Sequence, residues 1–346
     1  MADDRVISAE EIALYDRQIR LWGIAAQTRM RAANVLLVNV GALSNEIAKN
    51  IVLGGIGSLT VLDSETVSAL DLGGQFFLEE SDIGSNRAGA ASLRIQKLNP
   101  RVVVSADSSN FREKTAEYYA KFDIIVATDL EVKDLISIND MCRQYSKPFY
   151  AGASIGLYGY IFADLVKHTF SIEREKSNIS VKLGPESSTR SIIDVMVKKE
   201  GPKLKEIITK QENYKPLSVS MHSDNLSKLR PRSMMKVSPV LPAIKAMWKF
   251  HEDAGSQKPT TESDLVKFHD LVLDACRELG LPVGIISPEF TASFAHNIGT
   301  ELSPVAAILG GVLAQDILNY LGQREQPIQN WVIFDGASSE APIYSL

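Results

Sequence analysis

Cysteine is scarce in this chain of 346 residues, which contains only Cys142 and Cys276. Two cysteines cannot build a disulfide framework, and they cannot complete a zinc site without other ligands. Neither has a recognisable base close to it in the sequence, and Cys276 falls on a helical pattern that favours a buried thiol over a nucleophile. The cysteine content therefore predicts an intracellular protein without a metal centre.

An excess of positive charge is also absent, because 37 lysines and arginines face 42 acidic residues and the net charge is -5. Binding to nucleic acid needs a concentrated basic surface, so nucleic acid is not an expected partner. The acidic, polar start at residues 1–4 argues against a signal or transit peptide. No apolar run appears long enough to span a bilayer, and we expect a protein of the cytosol or nucleus without a membrane partner.

Glycine is missing from the turn where a nucleotide-binding fold needs it most. An apolar run of strand length, residues 35–40, is followed by a turn and then by a helical pattern, which is the order of an opening βαβ unit. Only Gly41 remains of the usual glycine pattern, with Asn39 and Ser44 where other glycines would let backbone N–H groups approach a phosphate. The order of strand, turn and helix indicates the fold clearly, but most of the glycines that would indicate a nucleotide site are missing.

Acidic residues follow two of the predicted strands. The strand at residues 58–62 ends at Asp63, where an acidic side chain usually meets a ribose hydroxyl, and the buried strand at 122–128 ends at Asp129. Thr128 or Asp129 could equally cap a helix that begins near Val132. The residues alone leave open whether Asp129 is a site residue at the end of the strand or part of a helix cap. The repeated alternation of strands and helices predicts an α/β fold with a doubly wound, mostly parallel, Rossmann-like sheet that could carry an antiparallel extension.

The N-terminal segment predicts a helix whose apolar side chains pack against the protein while its arginines extend away from it. Apolar residues within 15–23 recur at helical spacing, while Arg17 and Arg20 point elsewhere. Ser8 followed by Glu11 is a capping-box pattern, so the helix is expected to begin at Ser8 and to end at Gly23. Solvated arginines are the ordinary interpretation of such a helix.

Several segments taken together resemble the activating enzymes of ubiquitin-like modifiers, which share a ThiF/MoeB-like adenylation fold. They are residues 15–23, the turn after the first strand, and residues 71–77, 303–311 and 334–336. Within this family the chain is most similar to the small subunits of heterodimeric SUMO-activating enzymes, in a fungal-looking version.

This resemblance implies a non-catalytic subunit that supports adenylation of the SUMO C-terminus and thioester formation on the cysteine of a larger partner subunit. In the family, the arginine matching Arg17 extends into the partner's site, where ATP and Mg²⁺ are bound. The chain's own pocket would be vestigial, formed by Gly41, Asp63, Arg87 and Asp129, with no metal and no tightly bound cofactor. The implied partners are the larger subunit, SUMO and, through the complex, the SUMO-conjugating enzyme, and the implied location is the nucleus and also the cytoplasm.

Substitutions relative to the family's catalytic members argue against nucleotide binding by this chain. Asp71 stands in place of an asparagine, and Gly74 and Asp134 stand in place of arginines. Arg87 takes the place of a phosphate-binding lysine, although a forked guanidinium and a compact ammonium present charge differently. The alternatives are a self-sufficient MoeB/ThiF-like adenylyltransferase, a subunit for another modifier, and a nicotinamide-dependent oxidoreductase, which would need the missing glycines.

Composition divides the chain into an adenylation-type part at 1–166, an insertion at 167–287 and a return to the adenylation-type domain at 288–346. In the larger subunit of the family, the insertion carries the catalytic cysteine, and here it lacks that cysteine. Its mixed α+β content is predicted as strands at 180–183 and 191–197 and helices at 240–250 and 265–273. The last predicted elements are a helix at 303–322, opened by Ser303 and Pro304, and a strand at 331–334.

Overall fold

A computed structural model describes residues 7–177, 180–200, 203–255 and 258–346. The helices of these residues are α1 (Ala9–Leu14), α2 (Asp16–Trp22), α3 (Ile24–Ala32), α4 (Ala42–Leu53), α5 (Arg87–Leu98), α6 (Ala116–Tyr119), α7 (Val132–Gln144), α8 (Leu217–Ser220), α9 (Pro231–Met234), α10 (Val240–Ala254), α11 (Glu262–Glu278), α12 (Pro288–Asn297) and α13 (Ser303–Gly322). The strands are β1 (Asn34–Val38), β2 (Ser58–Leu62), β3 (Val103–Asp107), β4 (Ile124–Thr128), β5 (Phe149–Ile155), β6 (Tyr158–Asp164), β7 (Lys167–Glu175), β8 (Gly184–Pro185), β9 (Arg190–Glu200), β10 (Lys203–Asn213), β11 (Trp331–Asp335) and β12 (Ile343–Tyr344).

The central sheet has the strand order β12-β11-β6-β5-β4-β1-β2-β3. Strands β3, β2, β1, β4 and β5 are parallel, and β6, β11 and β12 extend them in antiparallel pairing. Parallel strands are covered on both faces, which explains why β1 and β4 are continuous apolar runs in the sequence. The predicted α/β fold with a doubly wound, mostly parallel, Rossmann-like sheet is confirmed.

Two hydrophobic layers cover the faces of this sheet. One layer includes Ile47 and Ile51 of α4 with Leu313 and Ile317 of α13, and it also receives residues of α3 and α5. The other layer is built from α7, α10, α11 and α12, with Phe268 of α11 fully buried within it. Helices of the predicted insertion therefore share a core with the central sheet, and the boundaries at 167 and 287 stay a prediction.

Helix α13 is the most apolar helix among the described residues. It has the length of a membrane-spanning helix and a mean hydropathy of 1.4, so the expectation that no apolar run is long enough is wrong. In this fold, however, 61% of that segment is buried. Its small residues allow close packing, because a Cβ atom on Gly310 would lie 2.5 Å from the Cβ atom of Glu46 on α4. Helix α13 therefore packs as a core helix against α4.

The segment after β6 forms a second sheet with the order β7-β10-β9-β8. Strand β9 and helices α10 and α11 confirm the predictions at 191–197, 240–250 and 265–273. The strand predicted at 180–183 is wrong, because this mostly exposed stretch pairs with no neighbour, and only Gly184–Pro185 pairs with β9. Short apolar patterns predict a strand only where a partner strand is available to complete the hydrogen bonds.

The N-terminal helix begins as predicted, with the Glu11 N–H donating to Ser8 Oγ at 3.2 Å and the Ser8 N–H donating to Glu11 Oε2 at 2.9 Å. It is interrupted at Tyr15, so the single helix expected up to Gly23 is two helices, α1 and α2. The buried Tyr15 hydroxyl accepts a hydrogen bond from Asn99 Nδ2 at 2.8 Å. A Cβ atom on Gly55 would lie 2.6 Å from the Tyr15 ring, so this glycine makes room for the tyrosine.

Candidate functional site

The candidate pocket lies at the carboxyl ends of β1, β2 and β4, where a doubly wound sheet binds its ligands. Of the sequence-predicted residues, the structure brings Gly41, Asp63, Arg87 and Asp129 together at this edge. Asp63 Oδ2 accepts hydrogen bonds from the Val40 N–H at 2.8 Å and from Arg87 Nε at 3.0 Å. These residues meet at one edge of the sheet, and their role as a binding site stays a prediction. The sequence did not predict how their charges are paired.

Asn39 explains how the turn after β1 forms without its usual glycine. Its φ of 70° lies in the left-handed region, which asparagine tolerates better than most residues. Its side-chain amide makes two hydrogen bonds. Nδ2 donates to the Thr128 carbonyl at 2.9 Å, and Oδ1 accepts from Arg87 Nη2 at 3.0 Å. The amide ties β1 to β4 and fills space that a glycine would leave to a ligand.

Arg87 is held by three acceptors of its own chain. Besides its bonds to Asp63 and Asn39, Nη1 donates to Asp71 Oδ1 at 3.2 Å, and only 16% of the side chain is exposed. Burial alone would raise the pKa of Asp71, but hydrogen bonds from Ser68 and the charge of Arg87 hold it below its usual value. The guanidinium is therefore neutralised by two carboxylates and is not free to bind a phosphate.

Asp63 shapes the turn instead of presenting a free carboxylate to a ribose. Its Oδ1 accepts from the Glu65 N–H at 2.8 Å, and 2% of its side chain is exposed. Burial raises the pKa of Asp63, although the charge of Arg87 and the backbone N–H groups act in the opposite direction. The Asp63–Arg87 pair therefore holds the ends of β1 and β2 together.

Asp129 closes the pocket from β4. Its φ of 53° is left-handed, and its Oδ1 accepts from the Ser154 N–H at 3.1 Å. Its Oδ2 is enclosed and has no hydrogen-bond partner within the described part of the chain. Burial and the negative charge of Glu301 raise the pKa of Asp129 to about 7. The capping alternative is wrong, because the N-cap of α7 is Glu131, which makes no side-chain cap bond.

Glu301 is the pocket residue that the sequence did not reveal. Its Oε1 accepts a hydrogen bond at 2.9 Å from the N–H of Ala42, which lies 259 positions away in the chain. No local pattern links residues this distant, and Glu301 stands in a connection between α12 and α13 that carries no motif of its own. Only the closed fold places it at the start of α4.

Other charges near the pocket are also paired. Asp134, which stands where the family's catalytic members have an arginine, accepts from Arg112 Nη2 at 2.7 Å. No group of three or more His, Cys, Asp or Glu side chains suited to a metal ion occurs among the described residues.

Arg17 lies on α2, away from these contacts. It is exposed, and across the described ranges it makes no hydrogen bond or ion pair, whereas Arg20 pairs with Asp16 at 2.8 Å. Helix α2 buries none of its own residues, and Leu21 is 72% exposed. The segment therefore presents a free guanidinium beside an exposed apolar side chain.

The model of the ThiF family matches residues 15–345. The chain belongs to the ThiF family. This ThiF-family chain is 39% identical over 345 residues to the DNA damage tolerance protein RHC31 of Saccharomyces cerevisiae, covering 98% of this chain and 97% of that protein. It is 37% identical over 341 residues to the DNA damage tolerance protein rad31 of Schizosaccharomyces pombe, covering 98% of each.

The SUMO-activating enzyme subunit 1 of Xenopus tropicalis is 34% identical over 343 residues, which cover 97% of this ThiF-family chain and 96% of that protein. The match extends through the middle of the chain, between the segments that carry the resemblance at residues 71–77 and 303–311. The predicted similarity to the small subunits of SUMO-activating enzymes is therefore confirmed.

The residues of this ThiF-family pocket do not fit the ATP and Mg²⁺ that an adenylation fold implies. A triphosphate needs free cations or N–H groups, but Arg87 is bound by Asp63 and Asp71, and the first N–H of α4 is bound by Glu301. Asp129 Oδ2 is an acceptor without a partner there, but the described residues contain no group of three or more His, Cys, Asp or Glu side chains that could hold a metal ion with it. The substitutions predicted to damage the site are thus accompanied by hydrogen bonds within the chain that occupy these donors.

Both cysteines of this ThiF-family chain are buried with no exposed surface. Burial raises the pKa of Cys142 and of Cys276, which disfavours the thiolate that a nucleophile needs. The prediction that Cys276 is buried is confirmed.

Proposed function

We propose that this chain is the small, non-catalytic subunit of a heterodimeric SUMO-activating enzyme. With a larger partner, it supports ATP-dependent adenylation of the SUMO C-terminus, the first step of sumoylation. The observation that carries the proposal is the near full-length similarity to SUMO-activating enzyme subunit 1, combined with a pocket whose cation is already paired. The proposed location is the nucleus and also the cytoplasm.

The partner is proposed to bind ATP and Mg²⁺ and to carry the thioester on its own cysteine. Support comes from the internally bonded pocket and from the buried Cys142 and Cys276, which leave this chain without an accessible nucleophilic thiol in the described residues. The SUMO-conjugating enzyme would then take up SUMO from the complex.

Arg17 is the residue proposed to act in the reaction, by reaching into the partner's ATP site. Adenylation redistributes negative charge over a triphosphate, and a guanidinium can stabilise that charge with forked, charge-assisted hydrogen bonds. Arg17 is suited to this role because it is exposed and uncommitted, on a helix that follows the anchored Tyr15. Arg20, already paired with Asp16, is suited to supporting the helix.

The proposal is tested by ATP–pyrophosphate exchange with three samples: the purified chain, the larger partner and the reconstituted pair. We expect exchange only from the pair and only when SUMO is added. Exchange by the isolated chain would instead identify a self-sufficient adenylyltransferase. Exchange supported by another ubiquitin-like modifier but not by SUMO would identify the corresponding subunit of a different pathway.

A further inference from the structure

The start of α4 is the position where a fold of this kind meets a phosphate, because the first N–H groups of the helix have no partner within it. The N-cap residue is Gly41, which has no side chain with which to cap the helix. Ser44 Oγ is turned back to the N–H of Gly41 at 2.6 Å. The N–H of Ala42 instead donates to the carboxylate of Glu301 at 2.9 Å. An acidic side chain of this chain therefore accepts a bond that a phosphate oxygen would accept.

The Glu301 carboxylate also occupies the space beside the pocket's glycines. A Cβ atom on Gly41 would lie 2.7 Å from Oε1, and one on Gly74 would lie 2.9 Å from Oε2. The Cβ atom placed on Gly41 would also lie 3.3 Å from Asp129 Oδ2. The two glycine faces that could admit a phosphate are thus covered by carboxylate oxygens.

The loop that carries Glu301 is anchored to the body of the protein. The Gly156 N–H donates to the Thr300 carbonyl at 2.7 Å, and the Leu157 N–H donates to Asn297 Oδ1 at 2.8 Å. These bonds join the end of α12 to the turn between β5 and β6. They fix the backbone just before Glu301, from which its side chain reaches the start of α4.

Within the described ranges, no lysine or arginine forms an ion pair with Glu301. Arg87 is the cation of the pocket, and its donors are taken by Asp63, Asp71 and Asn39. The carboxylate is therefore held by the N–H of Ala42 and by the partial positive charge of the helix terminus, which is the arrangement that holds a phosphate.

We propose that Glu301 is a built-in substitute for a bound phosphate, which caps α4 and closes this chain's nucleotide pocket to ATP. The first βα unit then keeps its liganded shape without a nucleotide. This inference concerns the pocket alone and holds whether or not the chain acts in SUMO activation.

The test compares thermal unfolding of the purified full chain and of its Glu301→Ala variant, with inorganic pyrophosphate as the probe and sodium chloride of equal ionic strength as the reference. Loss of the cap should lower the melting temperature of the variant by about 1–3 °C. Pyrophosphate should restore it, because a ligand that binds only the folded state raises its stability. Wild type should not respond to pyrophosphate or to ATP.

Glu262→Ala provides the matched control, because Glu262 is an exposed glutamate in the first turn of α11, where Thr261 supplies the cap. Its melting temperature should not respond to pyrophosphate. Glu301→Gln keeps an acceptor oxygen without the charge, should fold even if the alanine variant does not, and should gain a smaller response. The proposal is overturned if wild type responds as strongly as the Glu301 variants, or if neither variant responds more than wild type.

Discussion

Two arginines of this chain, Arg87 and Arg17, show how environment decides what a guanidinium can do. Arg87 lies in the pocket with 16% of its side chain exposed, and all three of its nitrogens donate to acceptors of the same chain. Arg17 is exposed on α2 and has no partner among the described residues. A donor that is fully used within its own fold stabilises that fold, whereas a donor that is left unused can serve a neighbouring site.

The comparison is tested most strongly at Arg17. We expect Arg17→Ala to lower the rate of SUMO adenylation by about a hundredfold or more, since one preorganised donor contributes a few kcal/mol to transition-state stabilisation. Arg17→Lys should have a smaller effect, and the thermal stability of the chain should not change. The measurement is single-turnover adenylate formation at saturating ATP on the reconstituted pair.

Arg20→Ala is the matched control one turn away, and it should retain most of the adenylation rate. If Arg17→Ala forms adenylate at the wild-type rate, Arg17 does not act in the reaction. Loss of the heterodimer on gel filtration would instead assign Arg17 to the interface.

The opposite result is expected at Arg87. Arg87→Ala leaves the buried carboxylate of Asp63 without its cation, so it should lower the free energy of unfolding by about 2 kcal/mol. Urea unfolding of the isolated chain measures this change, and adenylation by intact heterodimer should fall much less than in Arg17→Ala. A stable variant with a large loss of activity would show that Arg87 acts on the reaction and would break the comparison.

Replacing Asp129 in the pocket by asparagine should have a smaller effect on the free energy of unfolding, and this effect should depend on pH. The pKa of Asp129 is raised to about 7 in the folded chain, so its stabilising protonation is fully present below about pH 4 and is lost as the pH rises through 7. Asp129→Asn keeps an acceptor for the Ser154 N–H and tolerates the left-handed φ. Its free energy of unfolding should exceed that of wild type by at least about 1 kcal/mol at pH 8.

This gain should grow between about pH 4 and pH 7 and then level off, as measured by urea unfolding at each pH. Asp140→Asn, a change at an exposed position of α7, should show no such dependence. A gain that is equal at every pH would mean that packing, and not protonation, separates the Asn variant from wild type.

The smallest effect on activity is expected at the cysteines. Replacing Cys142 and Cys276 together by alanine should leave thioester formation by the heterodimer unchanged, because both thiols are buried. The measurement is a gel assay for the SUMO thioester under non-reducing conditions. A complex that still adenylates SUMO but forms no thioester would place the nucleophile on this chain.

The predictable part of the molecule consists of elements whose sequence pattern reflects local structure. Strands β1 and β4 are continuous apolar runs because both faces of a parallel sheet are covered. Helices α4, α10, α11 and α13 follow from periodicity over many residues. The acids at the strand ends follow from topology, which places Asp63 and Asp129 at one edge.

The parts that could not be predicted depend on contacts between distant residues. The break at Tyr15 arises where its ring packs against Gly55 and its hydroxyl reaches Asn99. Glu301 and Ala42 are 259 positions apart in the chain, so no local sequence pattern reveals their contact. Substitutions in the sequence indicated that the pocket was damaged, but they did not reveal which groups had taken the place of the ligand.

The anchoring of α2 through Tyr15 has a consequence for the exchange of amide hydrogens. No residue of helix α2 is fully buried, although Trp22 at its end packs partly buried against the layer that contains α4 and α13. The buried tyrosine before the helix contacts Gly55 and Asn99. Segments with so little buried surface open locally at a lower free energy than the whole fold. We therefore expect the amides of α2 to exchange through a local opening that leaves the sheet intact, and binding of a partner over Arg17 to slow that exchange first.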